Sequence, residues 1–513
     1  MDYRLRLFGI GVPLALAILV MPASGQDLAQ FEGSVREFML DNGLKLLVLR
    51  RGQAPVVSCL THVDVGAADE VVGITGVAHL LEHMAFKGTQ TIGTTDYQAE
   101  RECMAEVDAR FRSLRQAERT LEGEGGELRR CRHAFDVARS EAQSLAVSHE
   151  MERILKRAGA RSLNAGTDCD ATVYHVCLPS NKLELWMLLE SERFRIPVFR
   201  EFYAEREVVM EERRVRVENH PHGLLGEEFL AVAYKAHPYG QPVVGHMSDL
   251  QSVTRAQVRA FFDEHYVASN MTVAIVGDVD PCVVHEMAKR YFGRLPRRPD
   301  PLPVETLEPE QTGERRVDVT GSAQPLLFVG YHIPSIRHPD YAILDVISDL
   351  MGVGRSSRLY TALVAGSGVA VTASTVNGRP GNKYPGLFVF YAVPAARHTS
   401  EECEREIYGE IERLKTEPVP EEELRKITKR VRVRFVRKLN SNMGLARRLA
   451  FHEVVAGDWR HLFRRLERLQ EANPEDVRRV AQTYFSTENR VVGVLRTKGS
   501  DEQARLGGKH DDP

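Results

Sequence analysis

Two histidines four residues apart, with a glutamate between them, form the pattern in this chain best suited to chemistry. The stretch GVAHLLEHMAFKGT, residues 76–89, contains His79, Glu82 and His83. On a helix, residues i and i+4 lie on one face, so both imidazoles can point at one ion while Glu82 lies beside them. A catalytic zinc ion takes three protein ligands and keeps a fourth position open. The stretch therefore offers two metal ligands and a base, and the third ligand must come from elsewhere.

An ordinary helix with a polar stripe is the alternative interpretation of this stretch. The chain has 18 histidines in 513 residues, and HxxEH should arise by chance only about 0.04 times in a chain of this composition and length. The spacing is informative, but it does not decide between the two interpretations alone.

The surrounding sequence predicts strands that lead into this helix and a helical arm that follows it. The run FMLDNGLKLLVLRRGQAPVVSCLTHVDVG predicts two strands around a turn. Residues 92–160 switch to a long, charge-dense helical pattern broken by GEGG at 123–126, which predicts a helical hairpin that projects from the body. After it, LNAGTDCDATVYHVCLP predicts one strand, and residues 202–219 a charged helix.

A segment rich in proline and charge, residues 295–312, is the best domain boundary in the chain. Beyond it the order of strand, helix, glycine turn and strands begins again, which indicates an internal duplication. The equivalent helix in the second half has no histidine. If the first half binds a metal, the second half has no matching site. We predict an α+β fold of two similar halves, each a largely antiparallel sheet packed with helices, with the helical hairpin inserted in the first half.

The quoted stretch resembles the inverted zincin motif of the pitrilysin and mitochondrial processing peptidase family, in which HxxEH replaces HExxH. The resemblance continues through LDNGLKLLV, VGAADE, NAGTDCDATVY, FREFYAEREVVMEERR, HPYGQPVVG and NMTVAIVGDV. It is specific in the first half and generic in the second. It implies one zinc ion per chain and hydrolysis of peptides or unfolded segments, with Glu82 as the general base.

The third zinc ligand of that family is a glutamate on a later helix, seven residues after another glutamate. In AEREVVMEERR the matching pair is Glu205 and Glu212, two helical turns apart on one face. The resemblance thus assigns Glu212 as ligand and Glu205 as the group that holds a liganding histidine. Glu207 and Glu211, on the same predicted helix, are alternative candidates for the third ligand. The long gap between His83 and Glu212 is explained if the arm, about residues 92–160, is an insertion.

The family's substrate peptide lies as an added strand on the sheet edge that corresponds to LNAGTDCDATVYHV. Asn164 and Ala165 are therefore candidates for substrate contact. The alternative is a turn formed by Asn-Ala-Gly before an ordinary strand.

One departure from the family concerns its arginine and tyrosine, seven residues apart in the second half, which contact substrate and oxyanion. This chain reads LVAGSGVAV at 363–371, with Val364 and Val371 at the matching positions. The resemblance then implies that a related second subunit supplies the missing pair. A non-catalytic structural or chaperone-like subunit is the alternative function, and the two valines are the best argument for it.

The ends and the charge of the chain limit its partners and location. MDYRLR, an apolar run at residues 7–21 and then PASGQD predict a signal peptide over residues 1–25, hence a periplasmic or secreted protein; a retained membrane anchor is the alternative. A net charge of -3 gives no general attraction for nucleic acid, and the basic stretch at 425–438 follows acidic residues in the order that a helix dipole favours. We expect no nucleic-acid partner and no stable membrane span after signal cleavage.

The predicted domains are therefore a signal peptide over residues 1–25, a zinc peptidase domain over 26–300, a related domain without metal over 313–500 and a polar tail over 501–513. Seven cysteines without a CxxC pair indicate neither a disulfide framework nor a cysteine zinc site.

Overall fold

The computed structural model describes residues 31–120 and 125–498 of the chain. The predicted signal peptide and the polar tail lie outside the described residues. The described residues form eleven strands: β1 Val35–Met39, β2 Lys45–Arg50, β3 Val56–Val63, β4 Arg161–Thr167, β5 Thr172–Pro179, β6 Met271–Gly277, β7 Arg315–Gly321, β8 Leu326–Ile333, β9 Ala370–Arg379, β10 Gly386–Pro394 and β11 Arg490–Thr497.

The α-helices of the first half are α1 Val77–Met84, α2 Tyr97–Thr120, α3 Gly126–Leu145, α4 Glu150–Arg157, α5 Leu183–Arg195, α6 Phe202–Arg213, α7 Pro221–Ala233, α8 Met247–Ser252, α9 Arg255–His265 and α10 Pro281–Tyr291. Those of the second half are α11 Asp340–Gly352, α12 Ser400–Thr416, α13 Glu421–Leu439, α14 Asn442–Ala456, α15 His461–Glu471 and α16 Pro474–Tyr484. A π-helical turn, Arg214–Glu218, continues α6, and a second one spans Tyr360–Gly366.

The two sheets repeat one strand order. The first is β1-β2-β6-β3-β5-β4 and the second is β7-β11-β8-β10-β9. Apart from the additional β1, both follow the same chain sequence of first, last, second, fourth and third strand. Each sheet has one parallel pair, β2 with β6 and β7 with β11, and its other pairs are antiparallel. The predicted fold class of two similar, largely antiparallel halves is confirmed.

Each half covers part of the other half's sheet with one of its own helices. Helix α14 packs on β3 and β6, where Leu445 and Leu449 join one apolar cluster with Leu60 and Ala274. Burial on both faces explains why β6 reads MTVAIVG, an almost unbroken apolar run.

Helix α7 of the first half makes the reciprocal contact on β7 and β11 of the second sheet. Its Phe229 lies over Gly330 and Gly493, and a Cβ added at Gly330 would stand only 2.6 Å from the Phe229 ring. The two glycines thus make room for an aromatic side chain from the other half.

The helical arm does not project freely, so that expectation is wrong for its base. Phe111 of α2 packs on Tyr203 of α6 at a centroid distance of 4.5 Å. Glu100 and Arg200 form an ion pair at 2.8 Å, and their side chains are only 1% and 2% exposed. The arm is therefore attached to the helix that carries Glu205 and Glu212.

The segment predicted as one strand, LNAGTDCDATVYHVCLP, forms a hairpin of β4 and β5. Asp168 makes the turn, because its side chain accepts hydrogen bonds from the backbone N–H groups of Asp170 and Ala171 at 2.8 and 2.9 Å. The alternation of side chains along the segment is the same for one strand and for two, so it did not reveal the turn.

Two further features concern the hydropathy of the helices and the state of the cysteines. None of the helices in residues 31–120 and 125–498 is long and apolar enough to cross a membrane. All seven cysteines are free thiols.

Candidate metal centre

Helix α1 begins at a position that fixes its direction. Its N-cap, Gly76, has a φ of +84°, and a Cβ there would lie 2.4 Å from the Val244 carbonyl oxygen. The buried Glu70 carboxylate accepts hydrogen bonds from the N–H groups of Gly76 and Ala78, at 2.7 and 2.8 Å. These two donors are among the N–H groups that a helix leaves without internal partners, so Glu70 holds the start of the site helix.

The structure brings His79, His83 and Glu212 together. The Nε2 atom of His79 lies 3.6 Å from Glu212 Oε1, and the Nε2 atom of His83 lies 3.7 Å from Glu212 Oε2. One ligand atom from each of the three residues falls within 4.8 Å of the other two. No second group of this kind occurs among residues 31–120 and 125–498.

The two other candidates on α6 for the third ligand, Glu207 and Glu211, do not face the histidines. Glu211 is largely exposed and bonds Arg214 at 2.9 Å. Glu207 is also exposed and bonds Arg139 of the arm at 2.8 Å. Of the three carboxylates, only that of Glu212 faces the histidines.

The three residues fit a zinc ion. Atoms that share a tetrahedral zinc ion at about 2.0–2.1 Å lie roughly 3.3 Å apart, close to the separations found between Glu212 and the two histidines. Burial lowers the pKa of His79 to about 3, with the charges of His83 and Arg216 acting in the same direction, so its imidazole is neutral and can donate a lone pair.

Glu205 orients His83 from the side opposite Glu212. The His83 Nδ1 atom lies 2.8 Å from Glu205 Oε1, and Lys87 Nζ lies 2.7 Å from Glu205 Oε2. Burial alone would raise the pKa of Glu205, but the hydrogen bonds from His83 and Lys87 lower it to about 2. Because the charged Glu205 carboxylate accepts a hydrogen bond from Nδ1 of His83, the other ring nitrogen of His83, Nε2, faces Glu212.

Glu82 lies in the same group and is held by Thr167, the last residue of β4. The Thr167 hydroxyl donates to Glu82 Oε2 at 2.7 Å. Burial raises the pKa of Glu82, and this hydrogen bond opposes the rise. The side chain is thus a partly desolvated carboxylate with a fixed orientation.

Arg216, on the π-helical turn after α6, contacts the proposed ligand directly. Its Nη1 atom lies 2.6 Å from Glu212 Oε1. The turn places Arg216 one helical turn beyond Glu212, on the same face.

A cleft of about 590 Å³ opens over this centre, and both halves of the chain line it. Its wall includes the three metal-site residues and Glu82, as well as Asn164 and Ala165 of β4. Within residues 31–120 and 125–498, strand β4 pairs only with β5 and forms an edge of the first sheet, so no described strand occupies its other side. Asn164 and Ala165 also line an adjoining cleft of about 300 Å³.

Four residues that touch or face the centre were not among the predicted site residues: Lys87, Thr167, Arg216 and Arg379. Lys87 could have been found, because it is four residues after His83 on the quoted stretch. Arg379 lines the cleft from the second half. Nothing in the sequence around it indicates a place beside a metal site.

The two valines of the second half lie in different surroundings. Val364 is on a π-helical turn and packs partly buried against the core of the second half. Val371, at the start of β9, is 56% exposed.

Two family models match the chain in succession. The one described as insulinase (peptidase family M16) matches residues 46–120 and 142–246, and the one described as peptidase M16 inactive domain matches residues 252–431. The chain belongs to the M16 peptidase family. The first M16 match leaves out residues 121–141, a stretch that includes most of α3.

Similar proteins extend the M16 likeness over nearly the whole chain. The chain is 28% identical to the zinc protease PqqE of Helicobacter pylori over 491 residues, 94% of this chain and 97% of that protein. It is 23% identical to the probable mitochondrial-processing peptidase subunit beta of Schizosaccharomyces pombe over 61% of this chain and 58% of that protein. The crystal structure of a protease from Helicobacter pylori superposes with a TM-score of 0.75 at 27% identity, covering 90% of this chain and 99% of that one.

Proposed function

We propose that the chain is an exported, zinc-dependent endopeptidase that hydrolyses peptides or unfolded segments. The observation that carries the proposal is the approach of His79, His83 and Glu212 to one another beside Glu82. Membership of the M16 family and a relative named a zinc protease support it. Export rests on the predicted signal peptide at residues 1–25.

In this proposal His79, His83 and Glu212 hold one zinc ion. When bound, the ion would supply Lewis acidity towards a peptide carbonyl and a water molecule. Glu82 accepts the proton of the attacking water and returns it to the leaving amine. Thr167 keeps the Glu82 carboxylate in place for both transfers, and Glu205 keeps His83 in place.

The substrate takes an extended conformation along β4. An added strand satisfies the free backbone groups of this edge, and such pairing is independent of substrate side chains. Asn164 and Ala165 lie where the edge borders the cleft, so their backbones would pair with residues near the scissile bond.

Replacement of Glu82 by glutamine tests the proposal. The amide cannot accept a proton, so cleavage of a quenched peptide by the zinc-loaded protein should fall by about 10²- to 10⁴-fold while the zinc content stays unchanged. Glu207→Gln is the matched control, because Glu207 bonds the arm instead of the centre, and it should retain the wild-type rate. Undiminished cleavage by Glu82→Gln would remove Glu82 as the base.

We further propose that the active form contains a related second subunit. The arginine and tyrosine expected in the second half are replaced by Val364 and Val371, and neither valine side chain can donate a hydrogen bond to a developing oxyanion. A similar protein that is named as a subunit supports this proposal.

A non-catalytic member of the family remains the second candidate function. The same two valines favour it. Against it, a purely structural subunit has no need for His79, Glu82, His83 and Glu212 to converge.

A further inference from the structure

Arg379 brings a positive charge from the second half to the cleft over the metal centre. It is the last residue of β9, it is exposed, and it lines the same 590 Å³ cleft as His79, Glu82 and His83. Sequence reasoning placed no arginine of this half at the centre.

The charge of Arg379 is not neutralised within the described chain. Among residues 31–120 and 125–498, no acidic side chain forms an ion pair or hydrogen bond with its guanidinium. Arg216, the other arginine of the cleft, is bound to Glu212 at 2.6 Å. Among the described side chains that line this cleft, Arg379 is therefore the cation left available to a ligand.

The loop after Arg379 is fastened to the first half. The Asp170 carboxylate, in the turn between β4 and β5, accepts hydrogen bonds from the N–H groups of Asn382 and Lys383 at 2.5 and 3.0 Å. Lys383 Nζ also bonds Asp64 Oδ1 at 2.6 Å. These contacts tie the backbone next to Arg379 to the hairpin whose edge strand borders the cleft.

We infer that Arg379 is a specificity-determining residue that binds a carboxylate of the peptide lying along β4. This inference rests on the proposed function, because it assumes that a peptide occupies the cleft. A guanidinium binds a carboxylate with two parallel, charge-assisted hydrogen bonds. The carboxylate is either an aspartate or glutamate side chain or the carboxyl terminus, and the preferred substrates are peptides that present one of these groups to Arg379.

Peptide binding to the zinc-loaded Glu82→Gln variant of the full chain tests the inference without requiring turnover. The probes are fluorescent peptides that share one uncharged sequence. The first form has an amidated carboxyl terminus; the second is a set of amidated peptides with a single glutamate at successive positions; the third has a free carboxyl terminus. At least one carboxylate position should tighten binding about tenfold over the uncharged peptide, as expected for a charge-assisted hydrogen bond. The second and third forms distinguish a side-chain carboxylate from the terminal one.

Adding Arg379→Gln should abolish this tenfold gain, and Arg379→Glu should favour a peptide with lysine at the same position. Arg397→Gln is the control, since Arg397 is an exposed arginine of the second half that does not line the cleft; it should keep the gain. Equal binding of all three peptide forms, or a gain that survives Arg379→Gln, would overturn the inference. Absence of hydrolysis by the chain with intact Glu82, even together with a related subunit that carries the arginine and the tyrosine, would instead count against the peptidase function, while the binding result still decides the role of Arg379.

Discussion

Glu211 and Glu212 are neighbours on α6 with opposite surroundings. The Glu211 side chain is 61% exposed and pairs with Arg214, whereas Glu212 is 18% exposed and faces His79 and His83. Adjacent positions on a helix differ by about 100° in direction, so only one of two consecutive glutamates can reach the centre.

Glu212→Gln should weaken zinc binding by more than about 100-fold, because it removes a charged ligand and outer hydrogen-bonding partners alone are worth 10- to 100-fold. Glu211→Gln should leave zinc affinity unchanged. Competition with a chromophoric chelator measures both variants. If Glu211→Gln were the variant that lost zinc, the assignment of the third ligand would be wrong by one position.

The sequence predicts those site residues that belong to a local pattern, and it does not predict those whose positions depend on contacts between distant segments. His79, Glu82 and His83 could be predicted because a helix fixes how side chains four apart are placed. Thr167 and Arg379 could not, because their positions depend on the hairpin turn and on the packing of the two halves.

The arm formed by α2 and α3 shows how an element can be predicted correctly while its packing is not. Its charge-dense pattern predicted two helices over residues 92–160, and the structure has these two and a third, short helix, α4. The same pattern predicted an arm that projects from the body, but its Glu100 forms a buried ion pair with Arg200, and hydropathy alone would place both of these residues at the surface.

Replacing residues 119–131, where α2 ends and α3 begins, with a short glycine-serine linker should preserve both stability and zinc content. None of the described residues of this segment is fully buried; only Leu128 and Cys131 pack partly buried against the core, and the flanking Arg132–Glu118 pair, at 3.4 Å, lies at the surface. Deletion of residues 100–155 should instead destabilise the fold by about 3–5 kcal/mol or more, because it leaves the buried Arg200 without its carboxylate. Denaturant unfolding measures both changes.

A pair of point variants separates the ion pair from the rest of the arm. Glu100→Gln should reproduce most of the destabilisation, whereas Glu106→Gln, which breaks an exposed pair with Arg110, should cost at most about 0.5 kcal/mol. A stable Glu100→Gln variant would show that other contacts attach the arm.

The whole molecule consists of two halves that are similar in topology and interlocked by helices. The repetition of elements in two similar halves was predicted from the sequence, whereas the strand order within each sheet was not. The packing of α7 and α14 on each other's sheets could not be predicted, because the apolar face of a helix does not indicate which sheet it packs against. This interlocking brings Arg379 of the second half to the cleft of the first.

Catalysis by the isolated chain should be weak, because Val364 and Val371 stand where the family has an arginine and a tyrosine. Addition of a related subunit that carries both should raise the rate of peptide cleavage by about 10²- to 10³-fold, the range associated with one oxyanion donor. Replacement of the partner's arginine should reverse the gain. Brisk cleavage by the isolated, monodisperse chain would show that a residue of this chain takes over the function of the missing pair.

The central claim is that His79, His83 and Glu212 hold one zinc ion, and the zinc-to-protein ratio of the purified chain tests it most directly. Measured by inductively coupled plasma mass spectrometry after dialysis, the ratio should be close to one for the wild-type chain. For His83→Ala it should fall close to zero, because two remaining ligands cannot retain the ion. A His83→Ala protein that is folded and still carries one zinc ion per chain would contradict the account and would place the metal elsewhere.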